Sequence, residues 1–120
     1  TMKILFIYRP PGAEKLDNVI EHIYENYLKS CAFLILGDFN LDLGRQQFRE
    51  YNPLPGRVEF MMDYSTITNQ AAARGESVSL IDHIWGSRRV VSNYHTLAGS
   101  VANTPGWLNY HYIIWIALTR

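Results

Sequence analysis

Residues 31–43 read CAFLILGDFNLDL. Residues 32–36 form a short unbroken apolar run, the pattern of a strand buried on both faces. The run stops at Gly37-Asp38-Phe39-Asn40. Asp and Asn favour turns, because their side chains bond nearby backbone and tolerate left-handed conformations. The stretch therefore either closes a turn or holds something at a strand end. What the other strand ends bring to it decides between the two.

Upstream, residues 2–8 (MKILFIY) are apolar and β-compatible. Arg9-Pro10-Pro11-Gly12 ends them, since tandem prolines cannot continue a ladder. Leu16, Val19, Ile20, Ile23, Tyr24 and Tyr27 then recur at three- and four-residue spacing, one stripe of a helix. Downstream, residues 41–56 hold at most a short helix around 45–50 and then a Pro/Gly loop. Residues 57–67 (RVEFMMDYSTI) read as a further helix, and 68–77 as a polar loop. Residues 78–85 (VSLIDHIW) have strand composition, and Gly86-Ser87-Arg88-Arg89 suggests a hairpin connection into 90–98. Residues 99–107 read as a loop and 111–118 (HYIIWIAL) as a last strand. The order predicts an α/β fold, a mixed β-sheet with helices packed on one face. The first strand, helix and second strand make a right-handed βαβ unit.

A chain of 120 residues predicts one domain over 1–120. Hydrophobic residues at 48% and charged ones at 18% fit a folded core and argue against disorder. Lys plus Arg and Asp plus Glu balance at 11 each, so no global field attracts nucleic acid and any phosphate recognition must be local. The single cysteine, Cys31, permits no intramolecular disulfide and reads as a small core residue. No apolar run approaches membrane-spanning length, and no signal-peptide pattern opens the chain. The expectation is an intracellular protein, nuclear or cytoplasmic, with no membrane partner.

Polar residues gather at the ends of these strands. Tyr8 and Arg9 follow the first, Asp38 and Asn40 the second, Asp82 lies within the third, and His111 opens the last. One edge of an α/β sheet is where such folds assemble sites. A carboxylate, an amide and an imidazole are the parts for phosphodiester hydrolysis with a divalent metal. The carboxylate binds Mg²⁺ or deprotonates water. The amide orients a phosphate oxygen or the water. A protonated imidazole offsets charge building on phosphorus oxygens, and a buried aspartate beside it fixes its tautomer and raises its pKa.

The ordered set IYRPP, FLILGDFN, SLIDHIW and HYIIW resembles the endonuclease/exonuclease/phosphatase superfamily, the DNase-like fold. The wording is most similar to the endonuclease domain of non-LTR (LINE-type) retrotransposons. The resemblance spans residues 4–116. It implies that Asp38 orients or deprotonates the attacking water and that Asn40 holds the water and a phosphate oxygen. It implies that Asp82 pairs with a catalytic His111, and that Tyr8 and Ser79 line the phosphate site. The implied cofactor is Mg²⁺ or Mn²⁺, with Asp38 as a metal contact, and the implied partner is DNA. Lipid and inositol phosphatases belong to the same superfamily and are the alternative substrate class.

Two departures fall on metal binding. The family's domain is roughly twice this length, and its N-terminal half carries the main metal-binding glutamate, which this chain lacks. The family's closing Ser-Asp-His triplet reads Asn109-Tyr110-His111 here, and tyrosine is no hard-cation ligand at neutral pH. The resemblance thus implies the C-terminal half of a four-layer α/β sandwich, and the expectation is weak or no activity for this chain by itself. Half a sandwich leaves an open apolar sheet face. The expectation is that a second chain, a second copy or a longer parent covers it, and a non-catalytic interaction module is the other functional reading. The remaining polar residues have plainer readings. Strand alternation turns His83 away from Asp82, Arg88 and Arg89 fit a solvated turn, and Tyr24, Tyr27, Trp85 and Trp115 fit packing. Asp42 and Asp63 are poor substitutes for the lost metal ligand.

Overall fold

A computed structural model of the chain describes residues 1–12, 16–62, 79–101 and 113–120. Strand β1 (Met2–Tyr8) leads through helix α1 (Leu16–Ile23) to strand β2 (Ala32–Asp38). A 3₁₀ turn (Gln46–Phe48) and the short strand β3 (Val58–Phe60) follow. Then come β4 (Asp82–Ser87), helix α2 (Arg88–Asn93), β5 (His95–Val101) and β6 (Ile113–Thr119). The fold is mixed α/β. One sheet has four strands in the order β1-β2-β4-β3, and a second pairs β5 with β6. β1 and β2 are parallel neighbours, as a strand–helix–strand unit requires, while β4 runs antiparallel to both β2 and β3.

Register fixes which residues share a face. Leu5 pairs with Ile35 and Ile35 with Trp85, so these point to one side. That side packs on α1 and its extension, where Tyr24 meets the Phe33 ring at 5.9 Å between centroids. Ile4 and Leu34, Phe6 and Leu36, and Tyr8 and Asp38 share the opposite side, as do Gly86, Ile84 and Asp82. Over β2 and β4 that side is closed, with Leu34 and Ile84 buried. The second sheet supplies cover, with β6 neighbouring β4 and Ala98, Ile114 and Ile116 packed against the core. The cover stops short of β1, where Ile4 and Phe6 stay exposed.

The helix departs from its sequence stripe at its end. The last turn, Tyr24–Leu28, is π-helical, with the Lys29 N–H donating to the Tyr24 carbonyl. The wider turn brings Leu28 to the core in place of Tyr27, which is exposed. The Lys3 ammonium donates to the Tyr27 carbonyl at 2.7 Å and ties this turn to β1.

Four expectations need correction. Residues 99–101, expected as loop, complete strand β5. Residues 57–67 read as a helix, yet Val58–Phe60 is a strand on the β4 edge; the part beyond Met62 lies outside the described residues. The third core strand starts at Asp82 rather than 78. The chain after Ser87 is a helix rather than a hairpin. The Ser87 hydroxyl accepts from the Val90 N–H at 3.3 Å as an N-cap, and also from the Phe33 N–H at 3.0 Å. Arg88 and Arg89 reach back to the Gly56 and Ser30 carbonyls, so they clamp the helix onto neighbouring loops.

Candidate functional site

The topology sends three strand ends to one edge. β1 and β2 run parallel and finish there, and β4 runs against them and begins there. Tyr8 pairs with Asp38, and Asp38 pairs with Asp82, so the three stand in one row across the sheet on the face away from α1. The late start of β4 is what places Asp82 at this edge instead of inside a strand.

The Gly-Asp-Phe-Asn segment is held by bonds on both sides. The Arg9 N–H donates to the Asp38 carbonyl at 2.8 Å, and the Phe39 N–H to the Ile81 carbonyl at 2.8 Å. The Asn40 N–H donates to Asp38 Oδ1 at 2.9 Å, an Asx turn, and Asn40 Nδ2 donates to the Arg9 carbonyl at 3.0 Å. Asn40 has φ 51°, the left-handed region that Asn tolerates among non-glycine residues. The turn chemistry suggested by the sequence is therefore real, and it presents Asp38 and Asn40 at the sheet edge.

Phe39 between them faces inward and is fully buried. Its ring stacks on His83, with centroids 4.6 Å apart and planes 16° from parallel. His83 Nε2 lies 2.9 Å from the Leu80 carbonyl and 3.0 Å from the Leu41 carbonyl. The Trp85 indole N–H donates to His83 Nδ1 at 3.3 Å. This set of partners fits a neutral ring with its proton on Nε2. Burial pushes the imidazole pKa from 6.5 down to about 4, against weaker upward pulls from the two carbonyls, Asp38 and Asp42. His83 is thus a structural histidine on the face opposite Asp82. Gly37, its register partner, sets no side chain against it.

Asp42 is committed to the loop. Its Oδ1 accepts from the Gly44 and Leu80 N–H groups at 2.9 Å each, and Oδ2 lies 3.7 Å from Arg45 Nε. Ser79, next to Leu80, is exposed beside this loop, before the row begins. His111, its pairing with Asp82, and Asp63 lie outside the described residues. Of the expected site, Tyr8, Asp38, Asn40 and Asp82 come together. The sequence reading missed Phe39 and His83 as the anchor beneath them. The signal was present in the alternation Asp38-Phe39-Asn40, with one apolar residue between two polar ones.

Among the described residues, no group of three or more His, Cys, Asp or Glu side chains is placed to hold a metal ion. Mg²⁺ takes near-octahedral oxygen coordination. Two carboxylates in register, one with an oxygen engaged by the Asn40 N–H, do not complete such a site. Among the described residues, no helix is long and apolar enough to cross a membrane. No family model matches the chain, and no curated protein or solved structure gives a significant match.

Proposed function

We propose that the Tyr8–Asp38–Asp82 row, with Asn40, is the water- and phosphate-handling half of a DNase-like phosphodiesterase site acting on DNA. The observation that carries this is the register: two aspartates stand opposite one another at a sheet edge, flanked by Tyr8. Asp38, its rotamer fixed by the Asn40 N–H, orients the attacking water and takes its proton. Asn40, its amide anchored to the Arg9 carbonyl, steadies the water and a phosphate oxygen. Asp82 supports an imidazolium at His111 that offsets charge on the phosphoryl oxygens. The described residues do not fit a complete Mg²⁺ site. The helix on one sheet face and the second sheet against the other support the finer reading, half of a four-layer sandwich.

The test is nicking of supercoiled plasmid by the purified chain with Mg²⁺, Mn²⁺ or EDTA, beside Asp38→Ala. Slow metal-dependent nicking that Asp38→Ala abolishes supports the assignment. Equal background from both proteins refutes a working site. Hydrolysis of an inositol phosphate in place of DNA would move the substrate within the superfamily.

A further inference from the structure

We propose that the cleft over the end of β4 is a binding site for a phosphate group. This does not rest on the phosphodiesterase reading. The cleft lies on the α1 face, at the end of β2 and β4 away from Asp38 and Asp82. Lys29, Arg57, Arg88 and Arg89 line it, and no carboxylate among the described residues does. The rings of Tyr24 and buried Phe33 border these cations. The chain carries no net charge, so the excess of positive charge is local. The volume of the cleft is about 180 Å³. Drug-sized ligands occupy roughly 300 Å³ or more, so this cleft suits a single small anion.

Two of the four cations are held in place with donors to spare. The sheet order sets β2 and β3 on either side of β4. Ser30 stands just before β2 and Gly56 just before β3. Arg88 Nε donates to the Gly56 carbonyl at 2.8 Å, and Arg89 Nη1 to the Ser30 carbonyl at 2.6 Å. The two guanidinium groups are thus tied to opposite walls of the cleft. Each commits one nitrogen to its carbonyl, and a guanidinium carries five N–H donors. Among the described residues, neither forms an ion pair with a carboxylate. The other two cations are matched already. Arg57 Nη1 donates to Glu21 at 2.6 and 2.8 Å, and Lys29 Nζ lies 3.2 Å from Glu25. Arg88 and Arg89 therefore supply the unmatched charge. The planar fork of a guanidinium fits two oxygens of a phosphate. A tetrahedral phosphate can accept from both walls at once, whereas the two oxygens of a carboxylate share one side. Anchoring by the carbonyls leaves less side-chain freedom to lose on binding.

The test is NMR of the isotope-labelled whole chain, titrated with inorganic phosphate at constant ionic strength. Saturable shifts are expected at the Arg88 and Arg89 side-chain N–H groups and along the backbone of residues 29–31 and 56–57. Arg88→Gln and Arg89→Gln, each checked for folding by circular dichroism, are expected to weaken binding about tenfold, the worth of one charge-assisted hydrogen bond. Glu25→Gln removes a carboxylate beside Lys29 and Arg57. It is expected to tighten binding roughly threefold, a gain that a damaged fold would not give. Glycerol phosphate binding at least as tightly as inorganic phosphate assigns the site to a phosphomonoester, and weaker binding assigns it to the free ion. Shifts that do not saturate, that chloride reproduces, or that centre on Tyr8 and Asp38 overturn the proposal. So does equal affinity for acetate, arginine variants that bind as the parent does, or no tightening in Glu25→Gln.

Discussion

Acidification is expected to destabilise this protein through His83. The folded imidazole titrates at about 4, against 6.5 for the free group. Between these values the unfolded chain binds a proton that the folded chain refuses, so stability falls as pH drops. The contribution is fully present above about pH 6.5 and is lost as pH falls through the folded value near 4. A gap of this size amounts to roughly 3 kcal/mol, most of it lost between pH 7 and pH 4.5. That is a large share of a small domain's typical stability of about 5–15 kcal/mol. Carboxylates also titrate in this range, so the assay compares the chain with His83→Phe by urea unfolding at pH 7, 5.5 and 4.5. At pH 7 the variant is less stable, because the Leu41 and Leu80 carbonyls and the Trp85 N–H lose their partner. As pH falls, the parent loses about 2 kcal/mol more than the variant, and the two converge. Curves that stay parallel, or an NMR titration placing His83 above 6, would refute the reasoning.

Two further outcomes follow from the packing around the site. Gly37→Ala is expected to cost about 3 kcal/mol or more in chemical denaturation, since φ is 137° there and a Cβ would run into the Ile7 carbonyl oxygen. A loss under about 1 kcal/mol would show that β1 shifts freely past β2. Ser87→Ala removes the cap of α2 and the partner of the Phe33 N–H together. It should lower stability by about 1–3 kcal/mol in the same assay, with Ser87→Thr recovering part.

What the sequence determined by itself is local. The apolar run before Gly37, the double proline after Tyr8 and the helical stripe from Leu16 each rest on periodicity or turn chemistry within a few residues. They placed β1, α1 and β2 and the Asp38–Asn40 turn with little error. Only the tertiary structure decided what depends on a distant partner. Val58–Phe60 is a strand because β4 offers it an edge, a pairing no local pattern carries. The chain turns helical after Ser87 because that hydroxyl caps it while holding Phe33, 54 residues away. The same holds at the site. Residue types named Tyr8, Asp38, Asn40 and Asp82, but parallel β1–β2 and antiparallel β2–β4 pairing set them in one row. Burial, which no alternation pattern measures, turned His83 into a neutral anchor beneath them.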